Sequence, residues 1–164
     1  DFILNDPNNA VDADTKLLMQ SASSFFKFNP HGKNFEVFLG NFEGYVNNIQ
    51  KTMFDNLKRV HEEGITIAVS TDAGNPGTPH GISIYDEMEA MQAAGIEAED
   101  IIQMATKNGA IAMERLNDFG TLEMGKMADL IVFDSDPSTD ISNMRSITHV
   151  MRGGFLRPVN EPFQ

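Results

Sequence analysis

The chain has 164 residues, 41% hydrophobic and 22% charged, a composition typical of a globular protein with one core or with pieces of two domains. Its net charge of −12 disfavours nucleic acid and anionic membrane surfaces as partners. The lack of cysteine excludes disulfides and thiolate metal sites, and no apolar run approaches the roughly 18 residues of a membrane span. We expect a soluble protein, cytoplasmic rather than secreted. Because the chain opens on Asp1 without a methionine, we also expect a piece of a longer protein.

Residues 1–44 show the least regular pattern, and six phenylalanines fall between residues 25 and 42. Phenylalanine side chains need burial, so residues 25–42 are predicted to be a loop folded onto a surface or a partner. An aromatic substrate pocket and packing against a core or interface both remain open, and the general burial of phenylalanine favours the second. The six phenylalanines are Phe25, Phe26, Phe28, Phe35, Phe38 and Phe42.

Residues 45–63 are predicted to form a helix, because apolar side chains recur at steps of three and four along one stripe. Gly64 follows as a left-handed cap. The stripe consists of Val46, Ile49, Met53, Leu57 and Val60.

Residues 65–71 are predicted to form a buried strand, because the run is apolar or small on both faces and bounded by glycines. Side chains alternate along a strand, so the small residues share a face with Asp72. If that face points into a barrel or cleft, Asp72 stands at the strand's C-terminal end, where barrel and open α/β enzymes place their chemistry. From the spacing alone, Asp72 is equally a catalytic carboxylate or a cap of the following loop.

Helical patterns follow the glycine-rich loop at 83–94, after Ile96, and at about 109–116. The last part of the chain changes character. Strands are predicted at about 128–134 and 147–152, with Gly153-Gly154 as a two-residue hairpin turn. The sequence therefore predicts a small β unit within residues 121–158.

Three stretches resemble the metal-dependent amidohydrolases, in particular the imidazolonepropionase-like and Xaa-Pro dipeptidase-like branch. Residues 70–74 (Ser-Thr-Asp-Ala-Gly) with 79–81 (Pro-His-Gly) resemble that branch's last barrel strand and its loop. Residues 105–110 resemble the following helix, and residues 120–131 resemble the return into a small β domain. The third stretch is the most specific, because residue types and spacing match together.

The resemblance implies an α/β fold: the C-terminal part of a (β/α)8 TIM-like barrel in residues 1–120, with the last strand at about 65–72, and part of a composite β-sandwich domain in residues 121–164. It also implies one or two divalent metal ions, zinc above all, and hydrolysis of an amide, peptide or cyclic amide bond. Only Asp72 carries over directly. The matching aspartate contacts a metal and accepts the proton of the metal-bound water, whose pKa the metal lowers to about 7.

The family's remaining metal ligands have no match here. They are a His-x-His pair, a carboxylated lysine or glutamate, and two further histidines. The chain has four histidines, and no two are spaced to share a metal on one strand or helix turn. Because a zinc site normally needs three or four protein ligands, we expect the chain to be the C-terminal segment of a longer enzyme and to be inactive alone.

Within loop 74–82, Thr78 and His80 are the candidate substrate-binding residues. His80 can recognise a substrate carboxylate or carbonyl, although a solvated loop histidine is an equally good interpretation. The other histidines are predicted to be structural: His31, His61 and His149.

The predicted function is metal-dependent hydrolysis of C–N bonds, with Asp72 as metal ligand and general base. The expected substrate is a small or dipeptide-like molecule, and the expected assembly is a homo-oligomer or an association with the missing N-terminal part. The alternative is a non-catalytic module, or an assembly partner that is inactive alone.

Overall fold

The structure, a computed structural model, describes residues 35–74 and 78–160. Of these, the residues up to Met53 and Asp72–Ser83 fall in one compact unit, and Phe54–Thr71 with the residues from Ile84 onward fall in a second. No helix in this part of the chain combines the length and apolar composition of a membrane span. In chain order the elements are α1 (Phe35–Glu62), α2 (Ser83–Ala93), α3 (Ala98–Ala105), α4 (Lys107–Ala112), β1 (Leu130–Phe133), a 3₁₀ helix (Ile141–Arg145), β2 (Ile147–Arg152) and β3 (Phe155–Pro158).

Helix α1 begins at Phe35, ten residues before the predicted start. The prediction of a loop is therefore wrong for residues 35–42. Phe35, Phe38 and Phe42 follow each other at steps of three and four, which is helical spacing that the preceding turn residues obscured. The phenylalanines at 25, 26 and 28 lie outside the described residues.

The C-terminus of α1 confirms the predicted glycine cap. Gly64 has φ of +72°. Its N–H donates to the carbonyl of His61 at 2.9 Å, and the N–H of Ile65 donates to that of Val60 at 3.2 Å. These two bonds form a Schellman motif, which satisfies carbonyls that a helix end otherwise leaves unpaired.

The predicted helix is thus present, but its apolar stripe is only partly covered. Leu57 is half-buried against the core of the second unit. Met53 is 63% exposed, and Ile49 and Val60 are also exposed.

The core of the second unit comes mainly from α2 and α3, as their apolar periodicity predicted. Met88 and Ile101 are almost fully inaccessible to solvent, and Ile141 of the 3₁₀ helix closes the cluster. Gly95 ends the turn after α2 with the same two-bond pattern as Gly64: its N–H donates to Gln92, and that of Ile96 donates to Met91. The third helix, predicted at about 109–116, is present as α4 at Lys107–Ala112, so it begins earlier and is shorter than predicted.

The predicted β unit is confirmed. Its three strands form one antiparallel sheet in the order β1-β2-β3. Gly153 and Gly154 have φ of +57° and +86°, as a primed hairpin turn requires. The carboxylate of Asp129 accepts the Gly153 N–H at 2.6 Å, which ties the hairpin tip to the start of β1. The domain boundary at residue 120 stays a prediction.

Residues 65–71 are not a β-strand in this structure, so the prediction of a buried strand is wrong here. Ile65 is 58% exposed. A strand is stabilised by ladder hydrogen bonds to a neighbouring strand. Within the described residues the N–H of Val69 donates instead to the carbonyl of Met104, in the last turn of α3, at 3.3 Å.

Candidate active site

The segment that leads to Asp72 keeps the alternation that a strand would have. Its half-buried positions alternate with exposed ones, and Asp72 falls in the exposed set, in phase with the small residues as predicted. Two half-buried members, Ile67 and Val69, pack against the core of the second unit. The half-buried positions are Ile67, Val69 and Thr71, and the exposed positions are Thr66, Ala68, Ser70 and Asp72.

Asn108 holds this segment by a side-chain hydrogen bond. Its Nδ2 donates to the carbonyl of Ile67 at 2.8 Å, across 41 positions of sequence. The bond satisfies a backbone acceptor that has no sheet partner in the described residues. Sequence reasoning assigned Asn108 no role, although it lies in the stretch at 105–110 that resembles the amidohydrolases.

Asp72 has an unusual backbone conformation, with φ of +49°. Few residues other than glycine adopt the left-handed region, and aspartate and asparagine are among those that tolerate it best. Such conformations cost free energy and are concentrated at active sites and ligand-binding turns. The conformation turns the chain sharply where the segment ends.

Thr78 spans the turn that follows Asp72. Its Oγ1 donates to the carbonyl of Asp72 at 3.2 Å, and its own carbonyl accepts the N–H of Gly74 at 3.0 Å. One residue thus binds the backbone at two points of the turn. The side chain of Thr78 is half-buried, whereas that of Asp72 is exposed.

His80 lies beside the same turn. Its Nε2 is 3.5 Å from the position that a Cβ at Gly74 would occupy, which is ordinary contact distance. The carbonyl of Pro79 accepts the hydroxyl of Ser83 at 2.7 Å, and this buried serine fixes the chain where α2 begins. The structure therefore brings Asp72, Thr78 and His80, the three predicted site residues, into one short loop.

The described residues do not assemble a metal centre. Among residues 35–74 and 78–160 there is no group of three His, Asp or Glu side chains placed to hold an ion. A zinc site takes three or four protein ligands. Asp72 can supply one of them, so the described residues do not by themselves fit the metal that the resemblance implies. His61 is engaged elsewhere, with its Nε2 3.2 Å from Asp100.

The match to a family model decides the family. The model of the amidohydrolase family matches residues 46–156, which include the Asp72 turn, α2 to α4 and all but the last residues of the sheet. The chain belongs to the amidohydrolase family. Proteins of this family are generally metal-dependent.

Similar proteins cover the same part of the chain. An imidazolonepropionase from Alkaliphilus metalliredigens is 31% identical over 63% of this chain and 24% of its own length. A Xaa-Pro dipeptidase, solved with methionine in its active site, is 31% identical with a TM-score of 0.57, over 64% of this chain and 25% of its own. A putative prolidase from Bifidobacterium longum is 29% identical with a TM-score of 0.59, over 68% and 28%. The chain thus spans about a quarter of the length of these relatives.

Proposed function

We propose that this chain is the C-terminal part of an amidohydrolase that hydrolyses C–N bonds in an amide, a peptide or a cyclic amide. In the whole protein, residues 65–72 form the last strand of a (β/α)8 barrel, and β1 to β3 form part of a β-sandwich. The observation that carries the proposal is the Asp72 turn: an exposed carboxylate in a left-handed conformation, in a segment that matches the family.

Asp72 acts as the general base in this proposal. A carboxylate beside the attacking water accepts its proton and then returns that proton to the leaving nitrogen, so that one group serves both halves of the hydrolysis. An exposed side chain at the end of the segment is accessible to both water and substrate. His80, in the same loop, binds the substrate.

The proposed cofactor of the whole protein is one or two divalent metal ions, zinc above all. When bound, such an ion would supply Lewis-acid chemistry, and Asp72 would be one of its ligands. Its remaining ligands lie beyond the described residues, since these contain no group of three candidate ligands. That same observation favours the second candidate function, a module that is inactive until the rest of the protein associates with it.

The substrate is proposed to be a small or dipeptide-like molecule. The names of the relatives point to two related substrate classes, an imidazolone ring and a peptide bond before proline. Both contain an amide-type C–N bond.

The test compares variants of the polypeptide encoded by the whole reading frame, assayed on Xaa-Pro dipeptides and cyclic amides with metal content measured in parallel. Asp72→Asn keeps a residue that tolerates the left-handed backbone but removes the proton acceptor. We expect it to fold and to lose about 10²–10⁴-fold in turnover. His80→Ala is expected to raise KM more than it lowers kcat, because uniform substrate binding is lost.

Asp134→Asn is the matched control, since Asp134 is also an exposed carboxylate that directly follows an extended segment, β1. It should leave turnover unchanged. An Asp72→Asn enzyme that keeps more than about a tenth of wild-type turnover would rule out Asp72 as the base. The 164-residue chain alone is expected to bind no stoichiometric metal, and stoichiometric zinc lost on Asp72→Ala would contradict this.

A further inference from the structure

Thr78 closes the turn after Asp72 by two hydrogen bonds, and both of its partners are backbone groups. Thr78 Oγ1 donates to the Asp72 carbonyl, and the Thr78 carbonyl accepts from the N–H of Gly74. The two contacts reach both sides of residue 73. They therefore restrain the two peptide groups that flank Ala73, the first of which contains the carbonyl of the left-handed Asp72.

We propose that Thr78 is the positioning residue for Asp72: its hydroxyl holds the left-handed backbone that sets the direction of the Asp72 carboxylate. This proposal rests on the function proposed above. In this proposal Thr78 acts through Asp72, whereas the sequence analysis predicted that Thr78 contacts the substrate directly.

The physical reason is the instability of the conformation itself. A non-glycine residue in the left-handed region persists only where its surroundings impose it. In the described part of the loop, the hydroxyl of Thr78 imposes this conformation by donating a hydrogen bond to the carbonyl of Asp72 itself. If the bond is lost, Asp72 relaxes toward commoner backbone angles, and its carboxylate leaves the position from which it reaches the water. A misplacement of this kind lowers turnover while substrate binding persists.

The other end of the loop is fixed separately. Ser83, which is buried, donates its hydroxyl to the carbonyl of Pro79 at 2.7 Å. His80 lies between the two fixed points, with its Nε2 3.5 Å from the position that a Cβ at Gly74 would occupy. Loss of the Thr78 hydroxyl therefore acts first on Asp72, because the Pro79–Ser83 bond does not depend on it.

The test uses Thr78→Val and Thr78→Ser in the polypeptide encoded by the whole reading frame. Valine keeps the shape and removes the donor, whereas serine keeps the donor. We expect Thr78→Val to lower kcat about 3- to 10-fold with KM changed less than about 2-fold, the size expected for one net hydrogen bond. Thr78→Ser should restore most of the loss. A substrate-binding role predicts the opposite split, with KM raised and kcat kept, and would overturn the proposal.

Thr148→Val is the control, because Thr148 Oγ1 donates to the carbonyl of Val132 at the same 3.2 Å in the sheet. It should leave kcat unchanged. If Thr78→Val keeps full kcat while Asp72→Asn is inactive, the positioning role is wrong and the proposed function stands. If Asp72→Asn is also active, both are wrong.

A measurement without any variant covers the case in which Thr78→Val does not fold. Amide hydrogen exchange of Gly74 in the wild-type chain should be slower than in a free peptide by about 5-fold or more, since its N–H donates to the Thr78 carbonyl. Exchange of Gly74 at the free-peptide rate would overturn the proposal.

Discussion

At the scale of single residues, Gly120 is a position where a side chain would be both strained and overlapped. It has φ of +99°, and a Cβ there would lie 2.5 Å from the Cβ of Ala110 and 3.2 Å from the carbonyl of Thr106. Gly125 also has positive φ, at +90°, but a Cβ there would meet nothing within 4 Å. The two glycines therefore separate backbone strain from steric overlap.

We expect Gly120→Ala to destabilise the chain by about 3 kcal/mol, and Gly125→Ala by about 1 kcal/mol, because the first adds overpacking to the cost of a left-handed alanine. Urea unfolding followed by circular dichroism measures both. Equal losses in the two variants would show that the contact with Ala110 relaxes without cost.

The contribution of the sequence is also clearest at this scale. The sequence predicts Gly64 as a helix end and Gly153-Gly154 as the hairpin turn, because each signal is local. Asp72 was singled out by its phase in a strand pattern, which is local too. Its left-handed backbone and the Thr78 contact were not foreseen, since they depend on how the loop closes in three dimensions.

At the scale of elements, Arg145 joins the 3₁₀ helix to α2. Its Nε donates to Glu89 at 2.6 Å, its Nη2 donates to Asp86 at 2.7 Å, and its guanidinium lies 5.0 Å from the centroid of Tyr85. Glu89 above all, and Asp86 with it, raises the pKa of Arg145 further above its usual value, so the charge is permanent. The 3₁₀ helix also contributes Ile141 to the core, and the arginine fixes its approach.

We expect Arg145→Met to cost about 1 kcal/mol of stability, a modest figure because the side chains of this cluster are each about a third or more exposed and solvent screens the pairs. Arg115→Met is the control, since Arg115 pairs with residues close to it in sequence, Asp118 and Phe119. The control should cost less than about 0.5 kcal/mol. Thermal unfolding of both variants measures these losses. A double-mutant cycle of Arg145→Met with Glu89→Gln measures the coupling between Arg145 and Glu89.

The elements also show where prediction from sequence stops. Helices α1 to α3 and the β unit carry their own periodicity and turns, so the sequence indicated them. The segment at 65–71 has the composition of a buried strand, but a strand forms only beside a partner, and composition does not say whether the partner is present. A metal site is equally hard to predict from one stretch of sequence, because its ligands come from separate elements.

At the scale of the whole molecule, the part of the chain that the structure describes leaves many large apolar side chains exposed. Leu122 is 78% exposed and Phe155 is 73% exposed, and both lie within the residues that match the amidohydrolase family. Soluble monomers rarely leave large contiguous apolar patches uncovered. Further exposed apolar residues are Met53, Ile65, Met113, Met124 and Val159.

We therefore expect the isolated 164-residue chain to self-associate. Sedimentation velocity over a range of concentrations should show species larger than the 18.1 kDa monomer. The double variant Leu122→Lys and Phe155→Lys should shift the distribution toward the monomer, because it places charge on the exposed surface. A monodisperse wild-type monomer that melts cooperatively would show that the chain closes its own core.

The tether from Asn108 to Ile67 has a consequence for the chemical ageing of the protein. Asn108 is followed by Gly109, and asparagine before glycine is prone to lose its side-chain nitrogen by hydrolysis. In this chain that nitrogen is the donor to the Ile67 carbonyl, at 2.8 Å. Deamidation replaces the donor with a carboxylate that faces a carbonyl oxygen, so the hydrogen bond that holds Ile67 is lost. A stored sample would thus lose this tether one covalent event at a time, with a mass gain of about one dalton per damaged molecule.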